Sequence, residues 1–275
     1  MTNRLEPHSG KHTLTLAAQA LSQAAERMGN DFDEAVNLLA QSAGKVVVTG
    51  VGKSAHIAAK IAATLNSTGS SAMFLHAGEA LHGDLGAVQQ GDVVVCLSKS
   101  GRSDEVTQLL PSLVQRGCPL VALTADPDSP LGQAASVVLD VSVPEEACPL
   151  DLAPTTSTTL QLAMGDALAV ALMAANAFQA KDFAANHPAG SLGKKLTWTL
   201  ASLVDPARQP AVPWDASLAD VLETMSEARY GATVVWAQDN PGQIGGIVTD
   251  GDLRRALAQG TLPNTTAGTL ASPHP

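Results

Sequence analysis

A chain of 275 residues, 45% of them hydrophobic, is long enough for two domains and can bury a sizeable core. Its formal net charge of -10 argues against nucleic acid as a partner, because a phosphate backbone demands a basic face; a local site for one small phosphate stays open. The 3 cysteines, Cys96, Cys118 and Cys148, lack metal-ligand spacing and read as reduced thiols of a cytoplasmic protein. Cys96 and Cys118 fit small buried positions, and Cys148, beside two glutamates, is a candidate pocket residue.

The N-terminus carries Arg4, Glu6, His8 and Lys11 and has no apolar stretch of the secretory kind. Helical periodicity follows over Leu14–Met28 and Asp31–Ser42, with Asn30 and Asp31 as cap residues. The β-branched run Lys45–Gly50 predicts a buried strand, and Ser54–Asn66 the helix after it. Ala72–His76 and Asp92–Ser98 predict the second and third strands, and Asp104–Arg116 a helix. Pro119–Thr124 and Val137–Val143 are the fourth and fifth strands. Leu160 to Phe178 is the longest apolar stretch. Asp166 interrupts it, so it reads as a helix inside a globular domain rather than a membrane span, with Asp166 hydrogen-bonded to a loop.

Pattern and polarity change after Trp198. Pro206, Pro210 and Pro213 give residues 205–213 a linker composition. Then come a helix over Ser217–Arg229, a strand over Ala232–Trp236, a turn at Pro241–Gly242, a strand over Gly246–Asp250 and a helix over Asp252–Gln259. The tail Pro263–Pro275 reads as loose.

Solid apolar strands alternating with helices imply an α/β fold whose parallel sheet is covered on both faces. Right-handed crossovers align the C-terminal strand ends along one edge, where such sheets bind ligands. Three polar loops stand out: Gly50-Val51-Gly52-Lys53-Ser54, Ser98-Lys99-Ser100-Gly101-Arg102-Ser103, and Thr155-Thr156-Ser157-Thr158-Thr159. Each opens a helical pattern, and free N–H groups with hydroxyls at a helix start make an anion site. The Gly-x-Gly-Lys-Ser string is not a nucleotide P-loop, because its first glycine lies too close to the lysine.

Six segments, in one order, resemble the arabinose 5-phosphate isomerase family. They are Gly50–His56, His76–Gly86, Glu145–Leu150, Leu152–Thr159, Met164–Ala169 and His187–Gly193. Gly246–Leu257, with its Thr249-Asp250-Gly251-Asp252-Leu253-Arg254-Arg255 core, is similar to a first CBS motif. The resemblance implies a three-layer α/β/α sandwich with a parallel five-stranded sheet (the SIS, or sugar isomerase, fold) over residues 1–204. A partial CBS module would occupy 205–275, the sequence stopping near where a second motif is expected to begin, through truncation or because one motif is all there is.

The implied activity is the reversible conversion of D-ribulose 5-phosphate to D-arabinose 5-phosphate through an enediolate. The product feeds the eight-carbon acid Kdo of lipopolysaccharide or capsule. By motif, the family's catalytic positions fall on Lys53, Glu105, Glu146 and His187. The substrate-binding set is Gly52, Ser54, Gly69, Ser70, His76, His82, Ser98, Ser100, Ser103, Thr156, Ser157 and Thr158. No cofactor is required. An inhibitory Zn²⁺ is expected near His76, with His82 and Glu79 as further ligands, although contacts from these histidines to substrate hydroxyls are the stronger expectation. A homotetramer in a Gram-negative cytosol, and a nucleotide or nucleotide-sugar at the CBS region, are further expectations.

Read from their own surroundings, these residues keep structural alternatives. Lys53 can be a solvated helix-start lysine, Glu105 a first-turn acid favoured by the helix dipole, and several serines plain N-caps. Glu146 is the first choice of base, its pKa expected to rise towards neutrality through burial against Cys148 and Pro149. Lys53 is suited to the enediolate oxyanion or the phosphate. His187, on a loop, can open the sugar ring or shuttle a proton, and lies late enough in the chain to serve a partner subunit. Lys99 and Arg102 depart from the Ser-Asn-Ser-Gly-Glu-Ser loop usual in the family and add positive charge near the phosphate. They keep open an isomerase of another phosphosugar. A non-catalytic sugar-phosphate sensor is the other alternative.

Overall fold

A computed structural model of the chain describes residues 10–188, 199, 205, 207–260 and 265–273. Arg4, Glu6, His8, Ala189–Gly193, Pro206 and both ends of Pro263–Pro275 lie outside the described residues. The chain divides into two compact units, Met1–Thr197 and Trp198–Pro275.

In the first unit the helices α1 (Gly10–Arg27) and α2 (Asn30–Ala40) precede β1 (Val46–Gly50) and α3 (Gly52–Ser67). Then follow β2 (Ala72–His76), the single turn α4 (Ala77–Ala80), a 3₁₀ turn over Asp84–Ala87, β3 (Val93–Leu97) and α5 (Asp104–Gln115). β4 (Leu120–Thr124), α6 (Pro130–Ala134), β5 (Val137–Asp140), α7 (Thr156–Ala175) and α8 (Ala180–Asn186) complete it. All five predicted strands are present, each within a few residues of its expected bounds.

The sheet is wholly parallel, in the order β2-β1-β3-β4-β5. β1, β3 and β4 are buried along their whole length, which is why their runs of Val and Leu carry no alternation. One face is covered by α1, α2, α3 and α7, whose Ile61, Leu65, Leu160 and Leu168 pack on Val46, Val48 and Val95. The other is covered by α4, α5 and α6 through Ala80, Val106, Leu109 and Leu131. After β1 the chain steps outward to β2 and returns to β3 on the other side. The connections leaving β1 and β3 therefore diverge, opening a crevice at their C-terminal ends.

α7 is the spine of the first face. It is long and apolar enough to cross a membrane by length and composition, yet it packs against α1, α2 and α3 with nine of its residues buried. Gly165 sets its approach to α3: a Cβ there would meet Ile61 Cδ1 and Cγ1 at 2.3 Å. Asp166 is not buried as expected. It pairs with Lys60 of α3, both side chains nearly half exposed, so its partner is a helix residue and not a loop.

The second unit has β6 (Ala211–Val212) parallel to β7 (Ala232–Ala237), which pairs antiparallel with β8 (Asn240–Thr249). α9 (Leu218–Ala228) and α10 (Asp250–Ala258) are each opened by a capping box, Ser217 with Asp220 and Thr249 with Asp252. The hairpin turn falls at Gln238–Asp239, three residues before the expected Pro241–Gly242, which lie instead in the edge strand β8, where a proline removes no ladder bond. The described part of the tail is folded, not loose. It forms α11 (Ala267–Leu270), the Gly268 N–H donates to Trp214 O at 2.8 Å, and Ser272 pairs with Ile247.

Gly165→Val should lower the stability of the first unit by about 2 kcal/mol, because a fixed helix contact is overpacked. Thermal unfolding followed by circular dichroism measures it, with the exposed Ala174→Val as the control expected to leave the transition in place.

Candidate active site

The crevice beyond β1 and β3 holds a cavity of about 280 Å³ lined by Lys53, Ser54, Ser98, Lys99, Ser100 and Ser103, with Pro154 closing one side. Three elements supply it: the N-terminus of α3, the β3–α5 loop, and the segment entering α7. Gly52 begins α3 at φ +58°, a left-handed conformation suited to glycine. Lys53 is exposed and, among the described residues, engages no hydrogen bond or ion pair. Ser54 Oγ donates to Oε1 of the buried Gln161 at 3.1 Å, tying the start of α3 to α7. Ser98 Oγ accepts the Gly101 N–H (3.1 Å) and lies 3.2 Å from Ser103 Oγ, while exposed Ser100 accepts the Arg102 N–H at 3.3 Å. Arg102 itself turns to Asp126, a pair at the surface. The amide ends of α3 and α5 and these hydroxyls make a neutral cradle for an anion, and Lys53 and Lys99 make it positive.

The third helix start is already filled. Glu146, only 5% exposed, places its carboxylate on the N-terminus of α7. Oε2 accepts from the Thr155 N–H (2.8 Å), the Ser157 N–H (3.1 Å) and Thr155 Oγ1 (3.3 Å). Oε1 accepts from Ser157 Oγ and from Lys99 Nζ at 2.8 Å. The expectation of a raised pKa is therefore reversed. Burial pushes the Glu146 pKa up, but the Lys99 ammonium and the Ser157 and Thr155 donors outweigh it and bring it down to about 2. Three substrate-binding expectations change for the same reason. Ser157 is committed to Glu146, Thr156 Oγ1 accepts the Ala147 N–H at 3.1 Å, and Thr158 Oγ1 donates back to Thr155 O at 2.9 Å. None of the three lines the cavity.

Glu105 lies in the first turn of α5, half-buried, and engages no hydrogen bond or ion pair among the described residues. Cys148 is also not among the cavity residues; backbone N–H groups of Ala153, Leu152 and Leu150 facing its sulfur hold the thiol below its usual pKa. Cys96 is a core residue whose thiol burial pushes up to about 12.

The histidines fall elsewhere. His76 caps α4, its Nδ1 accepting the Gly78 N–H at 3.2 Å, and with Glu79 it lines a separate cavity of about 500 Å³ at the end of the edge strand β2. His82 is exposed. Among the described residues no group of three or more His, Cys, Asp or Glu is placed to hold a metal ion, so His76, His82 and Glu79 do not form the expected zinc cluster within one chain.

His187 ends α8 and stacks on Phe183, with ring centroids 4.0 Å apart. Its Nδ1 donates to Phe183 O at 2.9 Å, and Nε2 lies 3.0 Å from Ser67 Oγ. Ser67 is the last residue of α3, whereas Lys53 is in its first turn. A rise of 1.5 Å per residue puts those positions about 21 Å apart. Gly69 and Ser70 share the far end: Gly69 turns the chain at φ +91° against Phe178, and the Ser71 carbonyl pairs with the entry to β1. His187, Gly69 and Ser70 therefore do not join Lys53 and Glu146 within one chain.

The SIS domain family matches residues 38–171 and the CBS domain family residues 208–259. Arabinose 5-phosphate isomerase GutQ of Escherichia coli (strain K12) is 48% identical over 254 residues, which cover 92% of this chain and 78% of that protein. The chain belongs to the arabinose 5-phosphate isomerase family. A second member, arabinose 5-phosphate isomerase KdsD of Pseudomonas aeruginosa, is 47% identical over 92% of this chain and 77% of its own length. Among solved structures, c3406 of E. coli CFT073, determined in complex with arabinose 5-phosphate, superposes with a TM-score of 0.63 at 39% identity, covering 65% of this chain and 95% of that one.

Sequence reasoning placed the crevice and its two cationic loops but missed two links. Gln161 lies near the end of the apolar stretch with no role read from the pattern, and Lys99 reads there only as added charge near a phosphate. The signal for both was chemical: a buried amide and a buried carboxylate each need a partner.

Glu146→Gln should destabilise the first unit by about 2 kcal/mol at pH 6, through loss of charge-assisted hydrogen bonds. The depressed native pKa means that this contribution is present above the unfolded value of 4.5 and is lost as pH falls through about 2. Denaturant melts of both proteins at falling pH should therefore converge between those values; a gap that stays constant contradicts the ion-pair origin.

Proposed function

We infer that this chain is an aldose–ketose isomerase that interconverts D-ribulose 5-phosphate and D-arabinose 5-phosphate. The observation that carries the reading is the cavity at the β1/β3 crevice, with two lysines and four serines gathered around helix starts, in a chain of this family. The phosphate ester lies against the α3 and α5 amide ends and Ser98, Ser100 and Ser103. Binding energy there orients the reacting carbons.

Hydrogen leaves C1 of the ketose as a proton, and the electron pair moves through the enediolate to the C2 oxygen. Reprotonation at C2 and passage of the hydroxyl hydrogen from O1 to O2 give the aldose. No atom or electron is gained or lost, so the reaction needs no redox partner. Glu146 carries the carbon-bound proton, and Lys53 faces the developing oxyanion. Glu105, half-buried and uncommitted in the α5 first turn two residues past the phosphate loop, serves proton transfer between the oxygens.

His187 completes the set from a neighbouring chain. Its distance from Lys53 within one chain supports a site shared across a homo-oligomer, for which a tetramer is the proposed form. The proposed fate of the product is supply of Kdo.

Incubation with ribulose 5-phosphate plus EDTA should yield arabinose 5-phosphate. Failure with this and other pentose and hexose phosphates would falsify the assignment. In a second experiment, inactive Lys53→Ala and His187→Ala chains are mixed and refolded together. A shared site should restore about a quarter of the wild-type activity per pair of chains, the statistical share of sites with both residues intact, against the large loss each variant shows alone. No recovery would show each chain to be self-contained.

A further inference from the structure

Within this reading, we propose that Lys99 is a positioning residue that restrains Glu146 through their ion pair and hands it over when the substrate phosphate arrives. The donors on Glu146 differ in what it takes to remove them. The Thr155 and Ser157 N–H groups and both hydroxyls belong to the N-terminus of α7, and they leave only if the helix unwinds. Lys99 comes from the β3–α5 loop, and its side chain is 42% exposed against 3% for Glu146. It lines the cavity beside Ser98, Ser100 and Ser103, whereas Glu146 does not. The carboxylate is thus reached from the cavity at the place where Lys99 now binds it.

A phosphate dianion seated on the serine loop offers Lys99 a partner of higher charge. One ion pair is exchanged for another, and no covalent bond changes. Oε1 keeps Ser157 Oγ and regains a free lone pair on the cavity side. Its basicity rises, because the strongest lowering influence has left. The other charged groups around Glu146 do not substitute for Lys99. Asp151 accepts the Glu146 N–H at 2.7 Å and is itself an anion, Glu145 is the preceding residue, and Lys53 lines the same cavity from α3 without touching Glu146. Lys99 therefore links phosphate binding to the release of the base, a coupling that a neutral residue at this position does not provide.

The test is steady-state kinetics of wild type, Lys99→Met and Lys99→Arg with arabinose 5-phosphate. Lys99→Met should raise KM about tenfold while kcat stays within about threefold, and Lys99→Arg should recover most of the KM. The acidic limb of the kcat–pH profile should not move in Lys99→Met, because in the wild-type complex Lys99 has already left Glu146. A hundredfold fall in kcat at constant KM, an upward shift of that limb, or no change in either constant would each overturn the proposal while leaving the isomerase assignment standing. An inactive wild-type chain would instead remove the functional reading and this inference with it.

Discussion

The structure turns on one carboxylate set against one helix end. α7 starts with N–H groups that have no partner inside the helix, and a positive dipole end adds to their demand for an anion. Glu146 meets both needs from the loop that follows β5, with the Thr155 and Ser157 amides on a single oxygen. Because α7 is also the helix on which α1, α2 and α3 pack, the carboxylate helps to fix where the first face of the sheet is covered. Its cavity side is fixed too. Pro154 precedes the cap, and Gln161, one turn into the helix, holds Ser54 at the start of α3. A core helix and a substrate cavity thus share one electrostatic anchor.

Topology decides what the anchored cavity contains. The order β2-β1-β3 sends the chain away from β1 on both sides, and the loops that diverge there carry Lys53 and the serine run. The same right-handed crossover that starts α3 at the C-terminal edge must end it at the opposite edge. Whatever is attached to the end of α3 is then a helix length from the cavity. His187, bonded to Ser67, is in that position, as are Gly69 and Ser70. Motion of a side chain cannot close such a gap. If both ends serve one reaction, a neighbouring chain has to bring them together.

The fold was legible because its signals are local. Runs such as Val46–Thr49 and Val93–Leu97 are β-branched or aliphatic apart from Cys96 and end where glycine or serine begins, so the buried strands declare their own limits. The anion crevice was legible for a geometric reason: strand C-termini gather on one edge whatever the side chains are. The electrostatics of Glu146 were not legible. Position after a strand suggests burial, and burial alone raises a carboxylate pKa. The sign is reversed by Lys99, 47 residues away in sequence, and by donors of a helix whose first residue could not be fixed by pattern. The tail failed for a related reason. Thr266 and Ser272 look like loop residues, and only Ser217 and Ile247, far back in the sequence, show that they pair.

A charge count explains why three helix starts leave one cavity suited to an anion. The chain carries a net charge of -10, so an incoming dianion meets a repulsive field except where cations are concentrated. Lys53 and Lys99 supply that concentration, and Glu146 offsets one of them. The α7 terminus, filled by the protein's own anion, gives a second anion nothing to bind. The α3 and α5 termini, lined on the cavity side by hydroxyls and lysines, remain open to it. Occupying one helix end with a fixed carboxylate thus leaves the other two as the places where an anion finds unpaired donors. Lys99 stands between the two, bonded to the carboxylate and lining the cavity that the other two helix starts share.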